Sequence, residues 1–369
     1  MNKRFLFVSI LLTASLFASS GCAKKNINYY RKAEDNGKHD IVGRYAISDG
    51  SARKINCYHF MYDEKMRPIK IEYLKGGTLH RDDYFQVAQI QIEHQDGYDR
   101  RIFLDAYGKP TQDDTGVYSI SLQLDKNNNA TNMFNFDQDG KPTEDNKGVA
   151  QYIWELDDRG LVVKSDRLNK AGNKIVDANG EYELVRKFDA SANCIESANH
   201  GQDGQLLENK YGIAITRWKY DQQKNQTEER LYGADDRLKE NEEGVAITQW
   251  KYDSHGNVVE VRYYGTDEQL KPTKFGFVIV QGKYDKRGNR IEERYLNKDR
   301  KLIENENGSA IIDMKYDALG NDVEERYLGV DGQLKDTKAG FASHADMVFL
   351  QGIYHSKSFS KVPEKTCPL

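Results

Sequence analysis

Four arginines recur at intervals of 32 residues: Arg230, Arg262, Arg294 and Arg326. Tyr232 and Tyr264 follow two residues behind the first two. Guanidinium and phenol groups stacked in a column suit a carbohydrate, an anionic polymer or a peptide. The competing structural reading, which the sequence favours, makes these arginines solvated partners of the neighbouring strand, because a repeat must place something polar at every outward position. The other reactive residue types are dispersed. The eight histidines (His39, His59, His80, His94, His200, His255, His344 and His355) share no ligand spacing. The sequence has no Gly-x-Ser-x-Gly, no His-Glu-x-x-His and no phosphate-binding glycine loop. Asp125-x-Asn127-x-Asn129 begins like a calcium loop but has Ala130 where Gly is required and Phe136 where a bidentate Glu is required. The expectation is therefore a non-enzyme with no catalytic residue, no metal and no cofactor. Near-neutral charge, −4 over 369 residues, gives no electrostatic footprint for nucleic acid.

The 32-residue interval is the organising feature of the chain. Tyr-Asp stands at Tyr220-Asp221, Tyr252-Asp253, Tyr284-Asp285 and Tyr316-Asp317. Stepping back by the same interval reaches Phe188-Asp189, Leu156-Asp157, Leu124-Asp125 and Ile92-Glu93, so eight blocks fill residues 92–347 without an insertion. An imperfect ninth block starts at Tyr62-Asp63, two residues short. Such spacing identifies a repeat architecture. Counting each block from its Tyr, position 25 is glycine in all eight: Gly116, Gly148, Gly180, Gly212, Gly244, Gly276, Gly308 and Gly340. A glycine required at one place in every block implies positive φ or a close backbone approach.

Side-chain parity sets the expected hairpin. With the turn at Asp253 to Asn257, Tyr252 is expected to face Val259, Trp250 to face Val261 and Lys251 to face Glu260. The same register sets Lys219 against Glu228, Lys283 against Glu292 and Lys315 against Glu324. One face is then charged and the other carries Tyr252, Trp250, Thr248, Ala246, Val259 and Tyr263, which is the period-2 signature of a half-buried antiparallel hairpin. Positions 14 to 25 form an arm to the next block, and its recurrent Leu (Leu206, Leu238, Leu270, Leu302 and Leu334) is expected to cover the aromatic face. A lone hairpin is marginal, so each block needs its neighbours. The fold class expected is all-β: an elongated, solenoid-like array of tandem 32-residue antiparallel hairpins. With 38% hydrophobic and 30% charged residues, the composition suits a thin-cored array better than a compact globule.

The array sits behind an export segment. Lys3 and Arg4 precede the apolar run Phe5 to Phe17, which is too short to span a bilayer. Small residues lead to Cys22, and the string resembles a bacterial lipobox, which implies that Cys22 is acylated and becomes the mature N-terminus. Ser19 stands where Leu is usual, which leaves open ordinary cleavage after Ala23. The expected divisions are a signal peptide over 1–21, a lipidated N-terminus and tether over 22–40, a cap with the degenerate repeat over 41–91, the eight blocks over 92–347, and a C-terminal cap over 348–369. Of the remaining cysteines, Cys57 and Cys194 lie too many strands apart to pair.

The string GVAITQWKYDSHGNVVEVRYY resembles the core of YD (Rhs-type) repeats, in which Tyr-Asp-x-x-Gly joins two strands, and more weakly that of WG-type repeats. The 32-residue spacing and the position-25 glycine depart from the YD signature. The resemblance implies an extended β array with surface, envelope or shell roles and transfers no binding residue. The function expected is a non-enzymatic envelope lipoprotein, attached to a membrane by its lipid and binding an unknown protein or polysaccharide. The alternatives are a secreted adhesion module without lipid and an enzyme whose site lies in a repeat groove.

Overall fold

The computed structural model describes residues 27–36, 38–318, 321–337 and 343–345. Among them, 22 strands join in one open antiparallel sheet, and the single helical turn is α1 (Asp49–Ala52). The N-terminal part consists of β1 (Ile27–Asp35), β2 (Ile41–Ile47), β3 (Cys57–Tyr62), β4 (Pro68–Lys75), the short β5 (Thr78–Leu79), β6 (Gln89–Gln95) and β7 (Tyr98–Leu104). Seven further hairpins follow at the 32-residue interval, from Ser119–Leu124 with Ala130–Phe136 to Ile311–Tyr316 with Asp322–Leu328, and a last strand spans Ser343–Ala345.

The expected hairpin is present, with one correction. Lys251 pairs with Glu260 and Trp250 with Val261, but Tyr252 pairs with Val258 because a bulge falls between Lys251 and Tyr252. The same slip recurs at Tyr220, Tyr284 and Tyr316, and in the degenerate block at Tyr62. A bulge opposes two residues to one, so Val258 rather than Val259 joins the apolar face, where it is buried. Lys219, Lys283 and Lys315 meet Glu228, Glu292 and Glu324 as expected.

Three turns of one design recur along the array, the first block alone replacing the hairpin turn by a tight one at Asp96-Gly97. In the block of Tyr252, the amides of Asp253, Gly265 and Thr273 donate to the carbonyls of Asn257, Gln269 and Phe277, and those of Gly256, Glu268 and Gly276 donate back to the first residue of each turn. The fourth residue of each turn has positive φ: Gly256 at 79°, Glu268 at 59° and Gly276 at 92°. This fixes the role of position 25. The seven described glycines there, from Gly116 to Gly308, all have φ between 76° and 92°, and Gly340 lies outside the described residues. An Asp or Asn opening the turn caps it. Asp253 Oδ1 accepts the amides of His255 and Asn257, and Asp125 does the same for Asn127 and Asn129, which accounts for the calcium-like string.

The arm runs differently from the expectation. Leu270 and Leu302 pack with Val278, Ile279 and Leu296, and Leu206 packs with Ile215 and Tyr232. Ile279 and Leu296 are opposed residues on the same side as the Lys283–Glu292 pair. The arm leucines therefore cover the end of the charged face. The aromatic face is covered by the residue after the third turn: Phe277 packs with Tyr263 and Tyr295, and Val245 lies in the same cluster. The isolated bridges Tyr264↔Leu270 and Leu296↔Leu302 fix this geometry, because they return each arm alongside the strand it has just left.

A second correction concerns the expected tether. Residues 27–35 within it form β1, which pairs with β2 on one side and β3 on the other. The β1–β2 hairpin also reaches distant blocks. Arg31 Nη1 donates to the carbonyl of Arg287 at 3.2 Å, Tyr45 Oη to Asn225 Oδ1 at 2.7 Å, and the His39 ring stacks on Trp154 at 3.4 Å. The strand of Trp154 and the strand that leads into the Arg287 turn are the first and last of nine, about 38 Å apart if flat. A nine-residue strand is about 30 Å long, so one hairpin reaches both only because the sheet bends round it.

Candidate functional site

The arginine column lies where parity put it, on the charged face, and its partners are now explicit. Arg230 Nε sits 2.7 Å from Glu228 Oε1, Arg262 Nη2 2.7 Å from Glu260 Oε1, and Arg294 Nε 2.6 Å from Glu292 Oε1. Arg326 turns to Asp313 at 2.8 Å, with Glu324 at 3.8 Å. The same glutamates receive the lysines of the facing strand: Lys219 at 2.7 Å, Lys251 at 3.6 Å, Lys283 at 2.8 Å and Lys315 at 2.6 Å. Gln249 and Gln281 donate to the second oxygens of Glu228 and Glu260, both at 2.7 Å, and tie each hairpin to the next. The result is a row of glutamates, each bridging lysine and arginine.

Electrostatics follow from that bridging. Burial alone would raise Glu260, but hydrogen bonds from Arg300, Gln281 and Arg262 outweigh it and hold the carboxyl at about 2. Glu228 and Glu292 are lowered against burial in the same way. The arginines rise above their ordinary range in turn: Arg230, chiefly through its hydrogen bond to Glu228, and Arg262 despite partial burial. In the third block the pair is inverted, with Lys164 set against Glu155 at 3.1 Å. What repeats is the pair, not a cation at a fixed place. Tyr264 Oη donates to Gln249 Oε1 at 2.8 Å and Tyr232 lies under Arg217, whose guanidinium carbon is 4.4 Å from the ring centroid. A shallow groove of about 260 Å³ over this face is lined by Lys219, Glu228, Gln249, Lys251 and Arg262, among others.

The opposite face holds the groups that spacing did not reveal. Arg167 is fully buried and bonds Asp177 at 2.9 Å and Glu181 at 2.6 Å. Tyr152 Oη donates to Asp145 at 2.7 Å beside it. Arg101 donates to the carbonyl of His39, and Arg186, also buried, lies near enough to act on the His39 charge. Burial first, then Arg101 and Arg186, push His39 well below its ordinary value, so it is neutral at pH 7. Burial lowers Arg186 to about 10. Partial burial raises the carboxyl of Glu229, although Trp218 Nε1 donates to it at 3.0 Å. The sequence did contain a signal for these. Arg186 occupies position 31, which is Trp at 154, 218 and 250, and Arg167 occupies position 12, which is Tyr at 263, 295 and 327. A charge in an inward column marks a polar patch. Here that patch seats the N-terminal hairpin.

Cys22, the expected lipidation site, lies outside the described residues. Cys57 is a free, buried thiol pushed up to about 12 by that burial.

No family model matches the chain, and no curated protein sequence matches it. Among solved structures, it is similar to the TcdB2–TccC3 chain without its hypervariable C-terminal region, of the Tc-toxin Rhs/YD-repeat type, at 13% identity and a TM-score of 0.24, over 78% of this chain and 16% of that one. A porin-like protein from Bacteroides uniformis matches at 9% identity and a TM-score of 0.27, over 72% of this chain and 94% of that one. The Photorhabdus luminescens Tc holotoxin pore matches at 12% identity and a TM-score of 0.17, over 82% and 20%. The chain thus spans about a sixth of the toxin chain. The chain's own geometry is that of an all-β repeat protein with hairpins in series.

Proposed function

We propose that the chain is a non-enzymatic scaffold of the bacterial cell envelope, held to a membrane through a lipid on Cys22 and presenting its β array to a protein or polysaccharide. The observation that carries the scaffold reading is the glutamate row: the arginines and lysines of the most regular surface are committed to carboxylates of their own and adjacent strands, and this ties hairpin to hairpin. Such a face transmits rigidity along the array. The export segment and Cys22 support the anchor. The experiment is envelope fractionation of wild type and Cys22→Ser with mass analysis of the mature N-terminus. The proposal expects acylated, membrane-bound wild type and a released variant. Wild type without acyl groups on Cys22 overturns the anchor and supports the second reading, a secreted wall- or polysaccharide-adhesion module, which Ser19 at the usual Leu position favours.

A further inference from the structure

We infer that the rim of the sheet formed by the Asp63–Arg67 turn and the β6–β7 turn at Gln95–Tyr98 rests on the bilayer that holds the Cys22 lipid; this builds on the anchor reading above. Cys22 and Ile27 are five residues apart, so at full extension the acylated cysteine lies within about 18 Å of the start of β1. Ile27 pairs with Met61, one residue short of Tyr62 and its turn. β1 runs away from that turn, so the chain before Ile27 leaves toward it. Following the register across the sheet, Met61 pairs with Lys70, Lys70 with Gln91 and Gln91 with Ile102. Tyr98 lies four residues beyond Ile102 toward the same rim, or about 13 Å. The lipid therefore reaches the plane of the Tyr98 turn with little chain to spare.

The opposite edge is closed to a membrane at this point. Asn56, just before β3, donates its amide to the carbonyl of Arg287 at 2.8 Å and its side chain to Asn289 at 2.7 Å. A hairpin turn of a later block covers it. The rim carries groups suited to a membrane interface, set beside the exposed Glu64 and Asp96 of the same two turns. Met66 is 50% and Tyr98 44% exposed, and Lys65, Arg100 and Lys126 are exposed around them. Tyrosine places its ring at the headgroup level, and long basic side chains keep their charge in the water while their stems lie along apolar surface.

β7 supplies an internal control. Tyr98 opens it, and Tyr107, the most exposed large apolar side chain described at 89%, lies three residues past its other end, more than 20 Å away. The test uses the full-length protein, acylated in cells, purified and reconstituted into phosphatidylethanolamine–phosphatidylglycerol vesicles containing spin-labelled lipid. Met66→Cys, Tyr98→Cys and Tyr107→Cys, each in a Cys194→Ala, Cys367→Ser background that leaves only the buried Cys57 besides the acylated Cys22, carry an environment-sensitive fluorophore. Lipid spin labels should quench the fluorophore at positions 66 and 98 and leave that at 107 unchanged. With Cys22 shown to be acylated by mass, equal quenching at all three sites, quenching at 107 alone, or quenching at none overturns this placement and leaves the anchor standing. Absence of acyl groups on Cys22 overturns both.

Discussion

The phenol of Tyr252 donates to the carbonyl of Gln226, one block earlier, at 2.7 Å. Tyr220 reaches Cys194 at 2.8 Å and Tyr316 reaches Arg290 at 3.0 Å, each again 26 residues back. The repeated tyrosine thus closes the seam between hairpins near their turns. Burial, helped by nearby carboxylates, raises the Tyr220 phenol above its ordinary value, as expected for a group that must stay protonated to donate.

Removing that hydroxyl should loosen one seam. Tyr252→Phe keeps the ring against the aromatic cluster and deletes a single donor, so a loss of about 1 kcal/mol is expected by denaturant unfolding. Hydrogen exchange should accelerate around Gln226 and Tyr252 before it does elsewhere, since blocks touch mainly their neighbours. Unchanged stability and exchange would show that the repeated phenol does nothing for the array.

The position-25 glycines separate backbone strain from crowding. Gly244 has φ +78° and open space where a Cβ would go, whereas at Gly180, with φ +83°, a Cβ would come 2.8 Å from the Lys210 nitrogen of the next block. Gly244→Ala should therefore cost about 1 kcal/mol, from the left-handed conformation alone. Gly180→Ala carries the same strain and must also displace backbone, so its melting temperature should fall further. Equal losses would mean that the close approach at Gly180 relaxes freely.

Much of this was readable from the residues. The period, the turn chemistry and the Lys–Glu register follow from spacing and parity, because both are local properties of a two-stranded ladder. The bulge at Tyr252 was missed because it shifts pairing by a single residue inside a turn whose composition is unchanged. The strand β1 was missed because it lacks alternation: Tyr29 stacks on His59 and Tyr30 packs edge-on to Phe60, so consecutive aromatics serve opposite faces. The polar seat of His39 was missed because it joins residues from one hairpin and several blocks, and only the bend of the sheet brings them together.

The seat makes acid sensitivity a prediction. His39 is buried, with Asp35, Arg101 and Arg186 around it, and its folded value lies well below 6.5. The unfolded chain binds the proton first as pH falls, so this contribution is intact above about 6.5 and declines below it, with a slope of at most about 1.4 kcal/mol per pH unit. Unfolding from pH 7 to pH 5 should show a steeper loss for wild type than for His39→Gln. Parallel slopes for the two proteins would place the titrating group elsewhere.

The central claim is that the arginine column belongs to the sheet, and a double-mutant cycle on Arg262 and Glu260 tests it most directly. Arg262→Gln, Glu260→Gln and the double variant would be unfolded in denaturant at pH 7. Their side chains are 2.7 Å apart, and the carboxylate is the better shielded of the two, at 7% exposed against 29%. A coupling of about 1 kcal/mol is predicted after allowance for solvent screening, together with a measurable loss in each single variant. Additivity, with Arg262→Gln as stable as wild type, would contradict the account and return the column to the role of a surface kept for a ligand.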